Sequence, residues 1–287
     1  MIDGQFLAIG LGLLSAVSLA VVNVVVKRGG DILVTRAMLS GTAALIIAPA
    51  AFLVPFPNPA TWAALGVAVP VHFLYQAALI RAMHRGDLSL VFPIMRGLAP
   101  LLTACAAFLV LGEALSIAAV IGLLVATGAV IVFALPPANV RLGAHPDVTA
   151  LFWAAITAIG VALYNVADAR GMRIAPDPFT YIVWLFLLDW IFVGTTAVFV
   201  RKSALFAAIR SQWRYGFVAG ALSIVSFGSA LYAFTLMEAA KVAALRETAI
   251  VFAAIMGGVF LKEGTGRRRT LAAIVLAAGL ITMQVTL

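Results

Sequence analysis

Charge is scarce in this 287-residue chain: Lys, Arg, Asp and Glu make up 10% of it, where a soluble domain carries about 25%. Hydrophobic residues reach 64% and the mean hydropathy is +1.14. The remaining polar surface could not cover a water-soluble fold, so a soluble enzyme, a secreted module and a disordered regulator are excluded. Cysteine is nearly absent, and Cys105 has no second cysteine to pair with, so there is no disulfide framework. Also missing are a His/Cys cluster, a Ser-His-Asp spacing, a phosphate-cradling glycine loop and a Walker A sequence. These absences argue against metal binding, soluble-type catalysis and ATP hydrolysis, and no cofactor is implied. The net charge of +8 would suit nucleic acid. Here, however, the basic residues stand at the ends of apolar runs with no interleaved basic face, so nucleic acid is not the expected partner.

Apolar sequence is abundant. Stretches at about 6–27, 32–54, 61–83, 88–111, 115–135, 148–170, 178–200, 215–237, 241–261 and 270–286 predict ten transmembrane helices. At roughly 20 residues each they consume about 200 residues and leave no room for an extramembrane domain. The first run, Phe6 to Val26, has no basic n-region and no cleavage site after it, so it is expected to be a retained helix. The longest connection carries Pro136, Pro137, Gly143 and Pro146 and bisects the chain into 1–137 and 138–287. Fourteen of the 19 Lys and Arg fall in the loops after helices one, three, five, seven and nine; the opposite loops hold Arg170, Arg173 and Lys241. The positive-inside rule then places the odd loops in the cytoplasm and both termini in the periplasm.

The two halves repeat each other. Ser18–Gly29, SLAVVNVVVKRG, lies over Gly160–Gly171, GVALYNVADARG, matching Asn23 with Asn165. Pro93–Glu113 lies over Ala243–Glu263, matching Arg96 with Arg246 and Glu113 with Glu263. Five helices per copy is an odd number, so the second copy enters the membrane from the opposite face. Inverted repeats of this kind build many secondary transporters, with the site between the halves near the midplane. The expected fold is an all-α membrane protein, ten helices in two inverted five-helix repeats around a central cavity.

The segment FPIMRGLAPLLTACAAFLVLGEALS (92–116) with IGLLVATGAVI (121–131) resembles the EamA-type repeat of the drug/metabolite transporter superfamily. So does AALRETAIVFAAIMGGVFLKEGTG (243–266) with AAGLITM (277–283). Each is an apolar helix ending in Glu, a tight turn, then a glycine-containing helix, and together the two cover nearly the whole chain. The second copy has Lys262 where the first has Gly112, and it lacks a counterpart of Pro100. The resemblance implies a ten-helix inner-membrane carrier that exports small metabolites, with amino-acid exporters as prominent members.

A charge at a helix centre costs about 2.5–3.5 kcal/mol even on insertion scales, so each intramembrane charge is a candidate. Arg96, flanked by Pro93 and Pro100, and Arg246 either contact substrate or tie helices together through freed carbonyls. Asp189 and Glu247 either bind substrate or a proton, or form structural ion pairs with the arginines. Asp168 lies close enough to a helix end to be read as an ordinary interfacial charge. His72, Tyr75 and Gln76, at i, i+3 and i+4, make one polar stripe that faces protein or a cavity. Asn23 and Asn165 occupy matched inward positions, and Tyr164, Trp184 and Tyr232 are aromatic candidates. Trp62 and Trp213 read as interfacial anchors opening helices three and eight. Ala-Thr-Gly (126–128) and Ala-Ala-Gly (277–279) allow close approach of helices five and ten.

Three functions compete: an exporter of amino acids and similar metabolites, reaching to organic cations; an exchanger of phosphorylated compounds or nucleotide sugars; and an intramembrane enzyme or assembly factor without transport. A phosphate site wants several cations and few acids, whereas two arginines beside Asp189 and Glu247 suit a zwitterion. No nucleophile, base or metal constellation favours an enzyme. The expected protein is therefore a monomeric, multi-pass secondary transporter working by alternating access, its partners a small molecule and the lipid bilayer.

Overall fold

Helix starts in this protein are written into the residues just before them. A computed structural model describes residues 2–28, 30–85, 88–134, 148–252 and 267–284, and every regular element among them is helical. The α-helices are α1 (Ile2–Arg28), α2 (Ile32–Ile47), α3 (Pro59–Arg85), α4 (Leu88–Leu111), α5 (Ile117–Ala134), α6 (Val148–Ile174), α7 (Pro178–Arg201), α8 (Ala204–Ala233), α9 (Ala239–Glu247) and α10 (Arg267–Gln284). Asp31 caps α2, its carboxylate accepting from Val34 N–H at 3.2 Å. Asn58 caps α3, accepting from Thr61 N–H at 2.8 Å, and Ser116 Oγ accepts from Ala119 N–H at 3.2 Å in α5. Each satisfies an amide that has no partner inside its helix.

Six described helices are long and apolar enough to cross a membrane, and three shorter apolar stretches lie in α4, α5 and α10. Large apolar side chains stand on the outside, among them Phe52 at 93% exposure and Leu109 at 80%. Hydrocarbon rather than water is the surrounding that such a surface suits. The apolar runs and the helices correspond in order. The ninth run is described through residue 252, where α9 ends in a turn at Thr248; its remainder and the 136–146 connection, like Glu263, lie outside the described residues. The eighth element differs. It begins at Ala204, not 215, so Trp213 lies well inside α8, 53% exposed, instead of opening the helix. Arg210 and Arg214 read as loop charges, yet a helix tolerates them on an exposed face.

The residues pack as two units, Met1–Phe73 with Ala167–Leu236, and Leu74–Val166 with Met237–Leu287. Each unit draws on both sequence halves, and α3 and α6 contribute a segment to each.

In the first unit α8 packs along α1 and α2, and α2 along α7. Tyr181, Phe234, Leu65, Leu231 and Val34 form its fully buried centre. Glycine brings α8 close to α2: a Cβ on Gly220 would lie 2.9 Å from Leu39 O. Polar groups also pair between helices of this unit. Thr35 Oγ1 donates to Gln212 at 2.7 Å, Ser226 Oγ donates to Ser15 O at 2.9 Å, and Arg201 meets Asp31 at 2.7 Å.

In the second unit α5 packs along α10, and α4 against α5 and α9. The α5–α10 crossing is backbone on backbone: a Cβ on Gly122 would lie 2.5 Å from Gly279 O, and one on Gly279 2.7 Å from Ala126 N. Gly128, assigned to this crossing from sequence, instead has open space where its Cβ would be. Gly122 takes its place, nearly two turns earlier and on another face. After α4 the chain turns at Gly112, whose φ of +68° a side chain rarely adopts. That turn aims Glu113 at a different helix start: its Oε2 accepts from Ala239 N–H, the first amide of α9, at 2.9 Å. A carboxylate there satisfies an orphan amide and complements the positive end of the helix.

Candidate functional site

Polar groups gather at one place in each unit. In the second unit, Arg96 is half-buried in α4 and Glu247 is buried at the end of α9. They meet Nη1 to Oε1 at 3.4 Å. Pro100 stands four residues after Arg96, so it removes the amide that would have bonded the Arg96 carbonyl. Glu247 Oε2 has no hydrogen-bond partner among the described residues. Arg246, buried beside it in sequence, also acts electrostatically on Glu247, so one carboxylate answers two guanidinium groups. Tyr75 and Tyr164 lie within electrostatic reach of Arg96. Their rings meet edge to face, with centroids 5.0 Å apart. Gly160 makes that approach feasible, since a Cβ there would lie 3.0 Å from Tyr75 Cβ. Asn165, the residue after Tyr164, is buried and donates to Thr103 Oγ1 at 3.2 Å, while its own Oδ1 is unpartnered among the described residues.

A narrow recess reaches Glu247 between Pro100, Ala126, Thr127, Val130, Ala244 and Leu276. It admits no water molecule in this conformation. Thr127 Oγ1 lines it and is likewise unpartnered among the described residues. Buried polar atoms are nearly always bonded, so the open ones on Glu247, Asn165 and Thr127 in this unit offer a polar ligand acceptors and a donor.

In the first unit His72 Nε2 lies 2.9 Å from Asp168 Oδ2, and Tyr181 OH donates to Asp168 Oδ1 at 3.0 Å. Asp168 is 0% exposed. The reading of this residue as an ordinary interfacial charge is therefore overturned: α6 runs on to Ile174, carrying Asp168 well inside the helix. The His72 ring also stands edge-on to Phe227, centroids 5.3 Å apart.

Several sequence candidates fall elsewhere. Asp189, half-buried, accepts from Ser40 Oγ at 3.0 Å. Trp184 packs against Phe56 and Trp62 with centroids 5.3 and 5.1 Å away, which places Trp62 in an aromatic cluster near the start of α3. Tyr232 lies over Phe179 at 5.6 Å. Asn23 is half-buried in α1 of the first unit, while its repeat mate Asn165 is in the second. The stripe on α3 is divided in the same way, His72 to the first unit and Tyr75 with buried Gln76 to the second.

Sequence reasoning passed over Tyr181, Thr103 and Thr127 and discounted Asp168. One signal was available: Tyr164, Asn165 and Asp168 stand at i, i+1 and i+4 in an otherwise apolar run, as a polar patch does on one side of a helix. Among the described residues no group of three or more His, Cys, Asp or Glu could hold a metal ion.

The model of the EamA-like transporter family matches residues 4–135 and again residues 148–284. No curated protein matches the chain. A solved structure described as "Crystal structure of protein" aligns over 96% of this chain and 96% of that chain, with a TM-score of 0.70 and 16% sequence identity. That likeness concerns the fold.

Proposed function

Since the chain belongs to the EamA-like transporter family, and is thus a multi-pass membrane transporter of small substrates, we propose that it exports amino acids and related zwitterionic metabolites across the inner membrane. It does so as two inverted five-helix repeats that alternate access to a shared substrate. The family match to each half in turn supports the repeat. The substrate class rests on one observation, the Arg96–Glu247 pair at 3.4 Å with Glu247 Oε2 open.

A buried charge cannot lose its partner cheaply: breaking such a pair costs about 3–5 kcal/mol. A zwitterion avoids that cost. Its carboxylate replaces Glu247 on Arg96 while its ammonium replaces Arg96 on Glu247, so both protein charges stay compensated through the exchange. A phosphate ester offers Glu247 nothing, and an organic cation leaves Arg96 without a counter-charge. Tyr75 and Tyr164 supply an aromatic wall beside the pair, which suits varied apolar side chains. Guanidinium binds carboxylate through two parallel donors, a geometry that an ammonium lacks.

The test is counterflow in proteoliposomes holding a labelled amino acid, with the parent compound, its amide and its N-acetyl derivative as competitors. Competition by the parent and by neither blocked form is the expected result. If both blocked forms compete equally, neither charge is read and the zwitterion assignment fails.

A further inference from the structure

We propose that His72, Asp168 and Tyr181 form a proton-binding site that couples substrate export to proton influx. The inference deepens the carrier reading and rests on it. Its grounds lie in the choice of partners around Asp168. Two other carboxylates among the described residues have an arginine: Asp31 has Arg201 in the same unit, and Glu247 has Arg96 in the other. Asp168 is the most deeply buried of these acids, and its partners among the described residues are a histidine and a tyrosine. Both are donors whose protons exchange. An arginine would fix the charge of the site, whereas an imidazole lets it vary between a neutral imidazolium–carboxylate pair and a net negative carboxylate held by two neutral donors.

The surroundings leave that choice to the proton. On α6, Arg170 is exposed and Arg173 Nε donates to Phe234 O at 3.1 Å. On α7, Asp177 precedes the helix and Asp189 is held by Ser40. On α8, Phe227 faces the His72 ring, and Tyr232 lies over Phe179. On α3, within this unit, His72 is the titratable group. The geometry is also built for: a Cβ on Gly171 would strike the Tyr181 ring, so glycine one turn beyond Asp168 opens the place from which Tyr181 reaches the carboxylate.

The proton-loaded, neutral cluster is the form suited to a closed, dry interior, and the unloaded, charged form is the one suited to contact with water. A carrier that changes access only in certain protonation states converts a proton gradient into a substrate gradient. One proton enters through the imidazole–carboxylate pair for each substrate that leaves, with no other bond made or broken.

The experiment uses the full chain in proteoliposomes clamped at zero potential with potassium and valinomycin. Counterflow without a gradient reports the carrier itself, and its failure would reject the carrier reading. Uptake driven by an acid interior reports coupling. With one proton per substrate, wild type is expected to accumulate amino acid about ten-fold per pH unit. Asp168→Asn and, as a second variant, His72→Gln are expected to lose that accumulation. Wild type that exchanges substrate but does not respond to the gradient overturns the proposal while leaving the carrier reading intact. So does undiminished accumulation by either variant. Loss of counterflow in both variants, folded or not, assigns the cluster to structure or substrate contact and also overturns the proposal.

Discussion

Glu247 is the charge whose removal should matter most. It faces Arg96 at 3.4 Å and is acted on by Arg246 as well, with its side chain 5% exposed. At an effective dielectric of about 20, two unit charges at that distance attract by about 5 kcal/mol, before the cost of desolvating them. Glu247→Gln leaves two arginines without their common counter-charge, one of them buried. The expected loss is about 3–5 kcal/mol of stability. Arg96→Met leaves Glu247 with Arg246 still acting on it, and is expected to cost less, by about 1 kcal/mol or more. In the double variant the two losses should fall short of their sum by about 1–3 kcal/mol, the coupling of a direct contact. Reversible unfolding of the purified protein in mixed detergent–SDS micelles measures all three. The reasoning is refuted if Arg96→Met proves as costly as Glu247→Gln, or if the single losses add to within about 0.5 kcal/mol. Counterflow of Arg96→Lys tests geometry separately: charge is kept, the two-pronged donor is lost, and transport should stay well below wild type.

Gly171→Ala drives a methyl group into the Tyr181 ring and should cost about 1–3 kcal/mol in the same unfolding assay; a neutral result would mean that Tyr181 is not held against α6. Gly279→Ala meets main chain on α5 and should be at least as damaging, whereas Gly128→Ala, facing open space, should lie within about 0.5 kcal/mol of wild type. Glu113→Ala removes the acceptor of the first amide of α9 and should cost about 0.5–2 kcal/mol, with Glu113→Gln retaining part of it. A periplasm-active reporter after Leu287 should be active and one near Gly266 silent; the reverse pattern would overturn the orientation read from Lys and Arg.

Helix order was legible because hydrophobic length is a property of each run by itself. The Gly112-Glu113 turn was legible too, since a positive-φ position advertises itself by glycine. What lay outside local reading was partnership. Asp168 is one of 11 acidic residues, and an apolar run bounded at about 170 put it near a helix end. Only the packing of α3 and α7 segments around it makes it a centre. The same holds for Glu247, whose sequence neighbour Arg246 points about 100° away around the helix, and whose partner Arg96 is 151 residues distant. Gly128 and Gly122 show the limit from another side. Both are glycines of α5, and composition cannot say which of them touches α10. The start of α8 was misplaced because charge was taken as a loop marker, although Gln212 in that stretch is buried and bonded to Thr35.

The crossing of Gly122 and Gly279 has a consequence for how this chain can vary over generations. When a new side chain collides with another side chain, a smaller residue opposite can restore the fit. Here, beside the Met283 side chain, the atoms met are Gly279 O, Met283 N and Ala126 N, main-chain atoms that every amino acid except proline carries in the same form. No second-site change can shrink them. Neither position has a mutational neighbour that keeps the present contact, so related chains that differ here must also hold these two helices farther apart.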